Sequence, residues 1–256
     1  YAFDCYISTD SEEKKKQIEA MMHDTCKCKK ACVEVYKNRG RDVAPFLVQM
    51  QNRIADYDYV CHIHSKKTKT NDHGNEWRKY IFRNLFGNSE YLKRIFEIFE
   101  SNPKIGILMP ETYPVLELQA EWGGNKEGVS SLLEKLGIKT ELPQNPVFPV
   151  GNMFWARAET VKKIFEHGFE QTDFPQEAGQ VNATIAHQIE RSWIYLIKSE
   201  GYSYQKVFNN CYIPEKEFPK KKRLLAYVHY DKENVISEDD IKTIDTFSKI
   251  CDEVLF

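Results

Sequence analysis

The chain has 256 residues, of which 41% are hydrophobic and 13% are aromatic, so it can bury a large core as one domain or as two smaller ones. Its 36 basic and 38 acidic residues leave a net charge of −2, which excludes the global positive field of a protein that binds nucleic acid. The sequence has no apolar run of membrane-spanning length, its first residues lack a signal-peptide pattern, and its seven cysteines are an odd number. We therefore expect a cytoplasmic protein with reduced thiols and no nucleic-acid partner.

Strands and helices alternate over the first 110 residues. Hydrophobic periodicity predicts strands at FDCYIST, ACVEVYKN, YDYVCHIH and KIGILMP. It predicts intervening helices at SEEKKKQIEAMMHD, VAPFLVQMQNRIA, NEWRKYIFRNLFG and SEYLKRIFEIFESN, the first of them capped by Ser11. This alternation indicates parallel pairing and predicts an α/β fold with an open, mostly parallel sheet and helices on both faces.

The pattern changes after residue 110. Residues 111–149 predict an irregular insertion or lid, because prolines and glycines interrupt all but one short helix near VSSLLEKLG. Beyond it we expect a strand running into a helix at VGNMFWARAETVKKIFEHG, and a long helix at GQVNATIAHQIERSWIYLIKSEG. We assign residues 1–222 to one domain. Residues 223–256 predict a strand, a helix and a strand, which either begin a second α/β unit or add an edge strand to the first.

Basic residues crowd the end of the strand YDYVCHIH. Side chains alternate along a strand, so His62, His64 and Lys66 are predicted to share one face. Ligands of open α/β sheets bind beyond the carboxyl ends of the strands, so we expect Lys66 and Lys67, with the histidines, to neutralise a phosphate-rich ligand. Two alternatives stay open. The histidines could be a hydrogen-bonded pair beside solvated lysines, or they could hold a metal ion.

A second cluster, NRGRDVAPF, lies between a predicted strand and a predicted helix. Gly40 permits a backbone turn closed to other residues, and Arg39 and Arg41 provide two guanidinium forks suited to phosphate or carboxylate. Asp42 is placed to cap the helix that follows. The pattern favours a ligand-binding loop over a simple capped helix start.

The long helix near the end of the first domain carries a polar triplet. His187, Glu190 and Arg191 stand at i, i+3 and i+4, so they share one helix face. On a helix that is otherwise apolar, such a face indicates the wall of a site. The alternative is an ordinary salt bridge along the helix with a histidine neighbour.

Several long motifs resemble one known family. NRGRDVAPFL, HIHSKKT, EWRKYIFRNLFG, KIGILMP, FPVGNMFWARAE and IAHQIER, in this order, look like the rhamnan synthesis protein F family of bacterial glycosyltransferases over about residues 1–205. The resemblance implies a nucleotide-sugar-binding fold of the GT-A type. It also implies transfer of a deoxyhexose, typically rhamnose from its dTDP-activated form, onto a cell-surface polysaccharide on a lipid carrier. The chain departs from the family pattern at VNAT, where an acidic residue is expected near Asn182.

The resemblance and the residues together define the predicted site. The catalytic candidates are Glu177 as first choice for the base, Asp173 as its rival, and His187. The donor candidates are Asn38, Arg39, Gly40, Arg41, Asp42, His62, His64, Lys66 and Lys67. The acceptor candidates are Trp77, Arg78, Asn152, Trp155, Glu190 and Arg191, with the two tryptophans either stacking on sugar or belonging to the core.

We therefore expect a glycosyltransferase that inverts the anomeric centre in a single displacement. The lysines are expected to take the place of the divalent ion that many GT-A enzymes use, so metal-independent transfer is favoured and a divalent metal is left open. The expected partners are a nucleotide-diphosphate sugar, above all dTDP-rhamnose, and a polysaccharide or lipid-linked acceptor at the inner face of the membrane. The rival readings are a non-catalytic carbohydrate-binding or scaffolding domain of a larger synthase, and a metal-dependent phosphoesterase.

Overall fold

The computed structural model describes residues 2–25, 28–65, 74–180, 182–209 and 223–228, with backbone alone for 23–25 and 223–228. The described strands are β1 (Phe3–Thr9), β2 (Lys30–Val35), β3 (Tyr59–His64), β4 (Ile105–Pro110), β5 (Phe154–Arg157), β6 (Ser203–Val207) and β7 (Arg223–Val228). The described α-helices are α1 (Glu12–Thr25), α2 (Val43–Met50), α3 (Gly74–Leu85), α4 (Ser89–Ser101), α5 (Lys126–Lys135), α6 (Ala158–Glu166) and α7 (Ile185–Ser199).

The predicted alternation of strands and helices is confirmed, with local differences at helix ends. Ser11 caps α1 as expected, because its Oγ accepts a hydrogen bond from the Lys14 backbone N–H at 3.2 Å. Helix α2 ends earlier than its apolar pattern suggests and is followed by a short 3-10 helix at Ile54–Asp56. Residues 111–149 contain α5 and a 3-10 helix at Pro114–Gln119.

The described strands form one sheet in the order β2-β1-β7-β3-β5-β4-β6. β1, β2, β3 and β7 pair in parallel, as do β4 and β6, whereas β5 runs antiparallel to both β3 and β4. The α/β class with a mostly parallel sheet is therefore confirmed. Because β5 is reversed, the residues just before it lie at the same edge as the carboxyl ends of β2, β3 and β4.

Helices cover both faces of the sheet. One core packs α2, α5, α6 and α7 against the sheet through residues such as Phe46, Phe165 and Trp193. The other packs α1, α3 and α4 through residues such as Ile18 and Phe96. None of the described helices is long and apolar enough to cross a bilayer.

Strand β7 comes from the segment whose assignment the sequence leaves open. Its backbone pairs with β1 on one side and β3 on the other, so it occupies an interior position in the sheet rather than an edge. The helix and strand expected after it, in residues 229–256, lie outside the described residues. The division of the chain at residue 222 stays a prediction.

Because β7 is hydrogen-bonded on both sides, we predict that its backbone is essential to the sheet. Leu225 pairs with Cys5 of β1 and Cys61 of β3. Leu225→Pro removes one N–H from the ladder and leaves a buried carbonyl unpaired, so we expect it to lower the free energy of unfolding by about 3 kcal/mol. Leu225→Val, which keeps the N–H, is the matched control in chemical denaturation. Equal stability of the two variants would contradict the interior position of β7.

Candidate functional site

The arginine-rich loop after β2 is held by the backbone of a distant segment. Arg39 Nε donates to the Phe174 carbonyl at 2.8 Å, and the Gly40 N–H donates to the Pro175 carbonyl at 3.3 Å. The Glu177 N–H in turn donates to the Asn38 carbonyl at 3.3 Å. Residues 38–42 are therefore anchored to residues 174–177, beyond the carboxyl end of β2.

Gly40 is required at its position for two reasons. Its φ is 63°, in the left-handed region that glycine adopts without strain. A Cβ there would lie 2.5 Å from the Phe174 ring and 2.6 Å from Ala44 Cβ, so no larger residue fits. The next residue, Arg41, is also left-handed, with φ of 59°, which is a strained conformation for a residue with a side chain.

The two histidines of β3 hold the turn that precedes β5. His62 Nδ1 lies 2.6 Å from the Asn152 carbonyl oxygen, and His64 Nε2 lies 2.8 Å from that of Gly151. A carbonyl only accepts, so His62 carries a proton on Nδ1 and His64 carries one on Nε2. The predicted common face of the two side chains is confirmed, since their rings lie 6.4 Å apart. Lys66 and Lys67 lie outside the described residues.

Asn152 is the junction of the site. Its Nδ2 donates to Asp42 Oδ2 at 2.7 Å, and its Oδ1 accepts from Trp193 Nε1 at 2.7 Å. With the carbonyl that receives His62, this one residue connects the arginine loop, β3 and α7. Its φ of 55° turns the backbone so that these groups point in different directions, and only 2% of the residue is exposed.

The structure corrects the expected role of Asp42. Its carboxylate makes no hydrogen bond to the first turn of α2, so it is not the predicted helix cap. It accepts from Asn152 instead. Burial raises the pKa of this carboxyl, but electrostatic interactions with His64, His62 and Arg41 and the Asn152 hydrogen bond outweigh burial and lower the pKa to about 2. Asp42 is therefore ionised at neutral pH.

His62 stays neutral beside that carboxylate. Its burial lowers the pKa of the imidazole to about 4, even though the charge of Asp42 favours protonation. The Phe46 ring stacks on the imidazole at 4.1 Å between centroids and shields it from water. His62 is fully buried, which makes it a residue that positions the turn at residues 151–152 rather than one that contacts a ligand.

The polar triplet of α7 contacts both loops, as its helix face predicts. Arg41 Nη1 donates to His187 Nε2 at 2.5 Å, and His187 Nδ1 lies 2.7 Å from Thr184 Oγ1 and 3.4 Å from the Thr184 backbone N. Glu190 Oε1 accepts from the Gly151 N–H at 2.9 Å. A salt bridge of 3.6 Å joins Glu190 to Arg191 within the helix. The triplet therefore forms an intrahelical ion pair and also contacts the loops of the candidate site.

Glu190 and Arg191 influence each other electrostatically. Burial raises the pKa of the Glu190 carboxyl, and the nearby charge of Asp42 raises it further, while Arg191 and Arg41 oppose the increase. Burial lowers the pKa of Arg191. The Arg191 guanidinium is held by the Glu121 carbonyl, which accepts from Nε at 3.1 Å, and stacks over the Phe148 ring at 4.8 Å.

The two predicted bases differ in their surroundings. Asp173 is exposed, and its Oδ2 accepts from the Glu170 N–H at 2.8 Å in a capping box of a short 3-10 helix. Glu177 is partly buried, and its backbone is attached to the arginine loop. The structure therefore brings Glu177 next to the donor candidates and leaves Asp173 in a structural turn.

Among the acceptor candidates, Trp155 and Arg78 are buried, whereas Trp77 packs against the turn of the candidate site. Trp155 is 4% exposed, and its Nε1 donates to the Leu85 carbonyl at 3.0 Å, so it belongs to the core and offers no free face for a sugar. Arg78 is also buried, with Nη1 donating to the Ser65 carbonyl at 3.2 Å. Trp77 is half-buried, and a Cβ on Gly151 would lie 2.8 Å from its ring, so it packs directly on the turn of the site.

Sequence reasoning missed three contributors to the site: Gly151, Thr184 and Trp193. Trp193 stands three positions after Glu190, so helical periodicity places it on the same face and could have indicated it. The left-handed backbone of Arg41, Asn152 and Ala183 has no sequence signal of its own. Asn182, where an acidic residue is expected, donates to the Gly123 carbonyl and accepts from Asn125, which ties the insertion to the start of α7.

The sequence that builds this geometry is similar to known proteins. The family model of rhamnan synthesis protein F matches residues 1–202. The chain therefore belongs to the rhamnan synthesis protein F family, as its motifs predict. No solved structure matches the chain.

The curated relatives are much longer proteins. Two matches come from Xanthomonas campestris pv. campestris, strains B100 and ATCC 33913, and both carry the name uncharacterized protein WxcX. Each is 35% identical over 164 residues, which is 62% of this chain. The matched region spans 23% of the length of each relative.

The neutral buried state of His62 predicts a specific acid sensitivity. Its pKa is about 4 in the folded protein and 6.5 when exposed, so its stabilisation is fully present above pH 6.5 and is lost as pH falls towards 4. Between pH 7 and 5, we expect the free energy of unfolding to fall by about 2 kcal/mol more in the wild type than in His62→Gln.

The exposed His167 supplies the control for this experiment. His167→Gln should keep the pH dependence of the wild type, because this exposed position lies outside the site and the substitution leaves the buried His62 in place. The measurement is urea denaturation at a series of pH values. If His62→Gln retained the full pH dependence, the assignment of acid sensitivity to this histidine would be wrong.

Proposed function

We propose that this protein is a glycosyltransferase of polysaccharide biosynthesis that moves a deoxyhexose, with rhamnose favoured, from a nucleotide diphosphate to a polysaccharide or lipid-linked acceptor. The proposal rests on one observation above all. The arginine loop, the histidine end of β3, the turn before β5 and the polar face of α7 converge at the carboxyl edge of one open α/β sheet. This edge is where such sheets bind their ligands.

The donor diphosphate would be held by cations at this edge. Arg39 and Arg41 are partly exposed and retain unused N–H donors, because a guanidinium has five and only a few are engaged here. Their fork geometry suits phosphate oxygens. Lys66 and Lys67, which lie outside the described residues, would join the arginines in the proposed donor site, and together these cations would stabilise the diphosphate without a divalent ion. A GT-A type of fold is part of this proposal, because the candidate site lies beyond the carboxyl ends of the strands in an open α/β sheet.

The proposed reaction is a single displacement with inversion. The acceptor hydroxyl oxygen forms a bond to the anomeric carbon as the bond from that carbon to the diphosphate breaks. The hydroxyl proton passes to the Glu177 carboxylate, and the diphosphate departs with the bonding electron pair into the cationic loop. His187 would act through Arg41, because its Nε2 accepts from that guanidinium and orients it.

The direct test is turnover of dTDP-rhamnose, followed by release of dTDP, with a rhamnose oligosaccharide as acceptor. We expect acceptor-dependent release that EDTA leaves unchanged, since fixed cations take the role of the metal. No release of nucleoside diphosphate from any nucleotide sugar would favour the non-catalytic carbohydrate-binding alternative. Loss of activity in EDTA with recovery in manganese would refute metal-independent transfer and reopen metal binding by His62 and His64.

The same assay tests the assignment of the base. Glu177→Gln removes the proton acceptor and should lower kcat by a factor on the order of 100 to 10,000 while leaving the KM for the donor nearly unchanged. Asp173→Asn is the matched control, because the carboxamide oxygen still accepts the Glu170 N–H in the capping box. A large loss in Asp173→Asn with a mild effect in Glu177→Gln would reverse the assignment.

A further inference from the structure

Three aromatic rings from three elements form a partly exposed ledge at the same edge of the sheet. Tyr80 comes from α3, Tyr113 follows β4, and Phe208 follows β6. The ring centroids of Tyr80 and Tyr113 lie 5.2 Å apart, and those of Tyr80 and Phe208 lie 6.3 Å apart. We call Tyr80, Tyr113 and Phe208 the aromatic ledge.

The aromatic ledge is not part of either core. Phe208 is 55% exposed, and both tyrosines are partly exposed, whereas the core aromatic residues are almost fully buried. Leaving large rings in water costs hydrophobic free energy that burial would recover. A cluster of exposed rings is therefore typical of a binding surface.

Acidic groups lie beside the aromatic ledge. Burial raises the pKa of Tyr80, and the negative charges of Glu111 and Glu117 raise it further. Glu111 also forms an ion pair with Lys206 at 3.3 Å. Flat apolar faces beside carboxylate and ammonium groups match a sugar ring, which has a C–H face for stacking and hydroxyls for hydrogen bonds.

The aromatic ledge is continuous with the candidate site. Tyr80 lies one turn after Trp77 on α3, and Trp77 packs on Gly151, whose carbonyl accepts from His64. The ledge lies at the β4 and β6 side of the sheet, whereas the arginine loop follows β2 at the opposite end of the strand order. A ligand on the ledge would therefore approach the site from the side away from the arginine loop.

We infer that the aromatic ledge is a subsite for the carbohydrate chain of the acceptor, which binds by stacking sugar rings on Tyr80, Tyr113 and Phe208. This inference rests on the proposed function and extends it to a surface outside the residues assigned above. Val115 and Leu118 lie nearby in the chain and are exposed, and a lipid bilayer is the alternative ligand for such apolar side chains. The carboxylates of Glu111 and Glu117 disfavour an anionic bilayer, so the charge pattern favours a neutral sugar.

The test is binding of a short rhamnose oligosaccharide, measured by isothermal titration calorimetry without donor. We expect saturable binding by the wild type and a Kd about tenfold higher in Tyr80→Ala and in Phe208→Ala. Tyr80→Phe should bind like the wild type, because it keeps the ring. The matched control is Tyr202→Ala, since Tyr202 is a partly exposed tyrosine just before β6, at the other edge of the sheet.

A second readout separates this inference from the proposed function. In the turnover assay, Tyr80→Ala should raise the KM for the acceptor and leave its kcat and donor KM unchanged. If no nucleotide sugar is turned over while oligosaccharide binding still depends on the ledge, the proposed function fails and the subsite is supported. Absence of oligosaccharide binding by the wild type, or equal binding by the alanine variants, overturns the subsite. Ledge-dependent binding to phosphatidylglycerol vesicles in place of the oligosaccharide also overturns it.

Discussion

The architecture of the site depends on the buried hydrogen bonds of Asn152. One side chain joins Asp42 to Trp193, and the carbonyl of the same residue receives His62. Asn152, His62 and Trp193 are almost fully buried, so a polar group left unpaired among them would cost about 1–3 kcal/mol, which makes the arrangement strongly preferred over any partly satisfied one. The arginine loop, β3 and α7 are thereby fixed relative to one another before any ligand arrives.

Fixed geometry has an electrostatic consequence. Asp42 stays ionised and His62 stays neutral, so this part of the site carries a negative charge that interacts electrostatically with the partly exposed Arg41. Arg41 is also hydrogen-bonded to His187, which orients its guanidinium. In the proposed reaction, a guanidinium held in this way would stabilise the departing diphosphate without reorganisation at the moment of reaction. The aromatic ledge lies at the β4 and β6 side of the same edge, away from the arginine loop.

Much of this could be predicted from sequence, because the relevant signals are local. Strand alternation puts His62 and His64 on one face of β3. Helical spacing puts the polar triplet on one face of α7, namely His187, Glu190 and Arg191. What the sequence could not supply depends on contacts between distant residues. Asp42 has the pattern of a helix cap, yet its partner is Asn152, 110 positions away. The sequence makes Trp155 a candidate for stacking on a sugar, but its side chain is buried in the core. The interior position of β7 depends on pairing with strands that are distant in the sequence.

The central claim is that this edge binds the diphosphate of an activated sugar across the Asn152 junction. Hydrogen–deuterium exchange with and without dTDP-rhamnose tests it most directly. The account predicts that the ligand slows exchange simultaneously in residues 38–42 and 150–153, and that Arg41→Gln weakens both effects together. Protection confined to other parts of the chain, or no protection at saturating ligand, would contradict it.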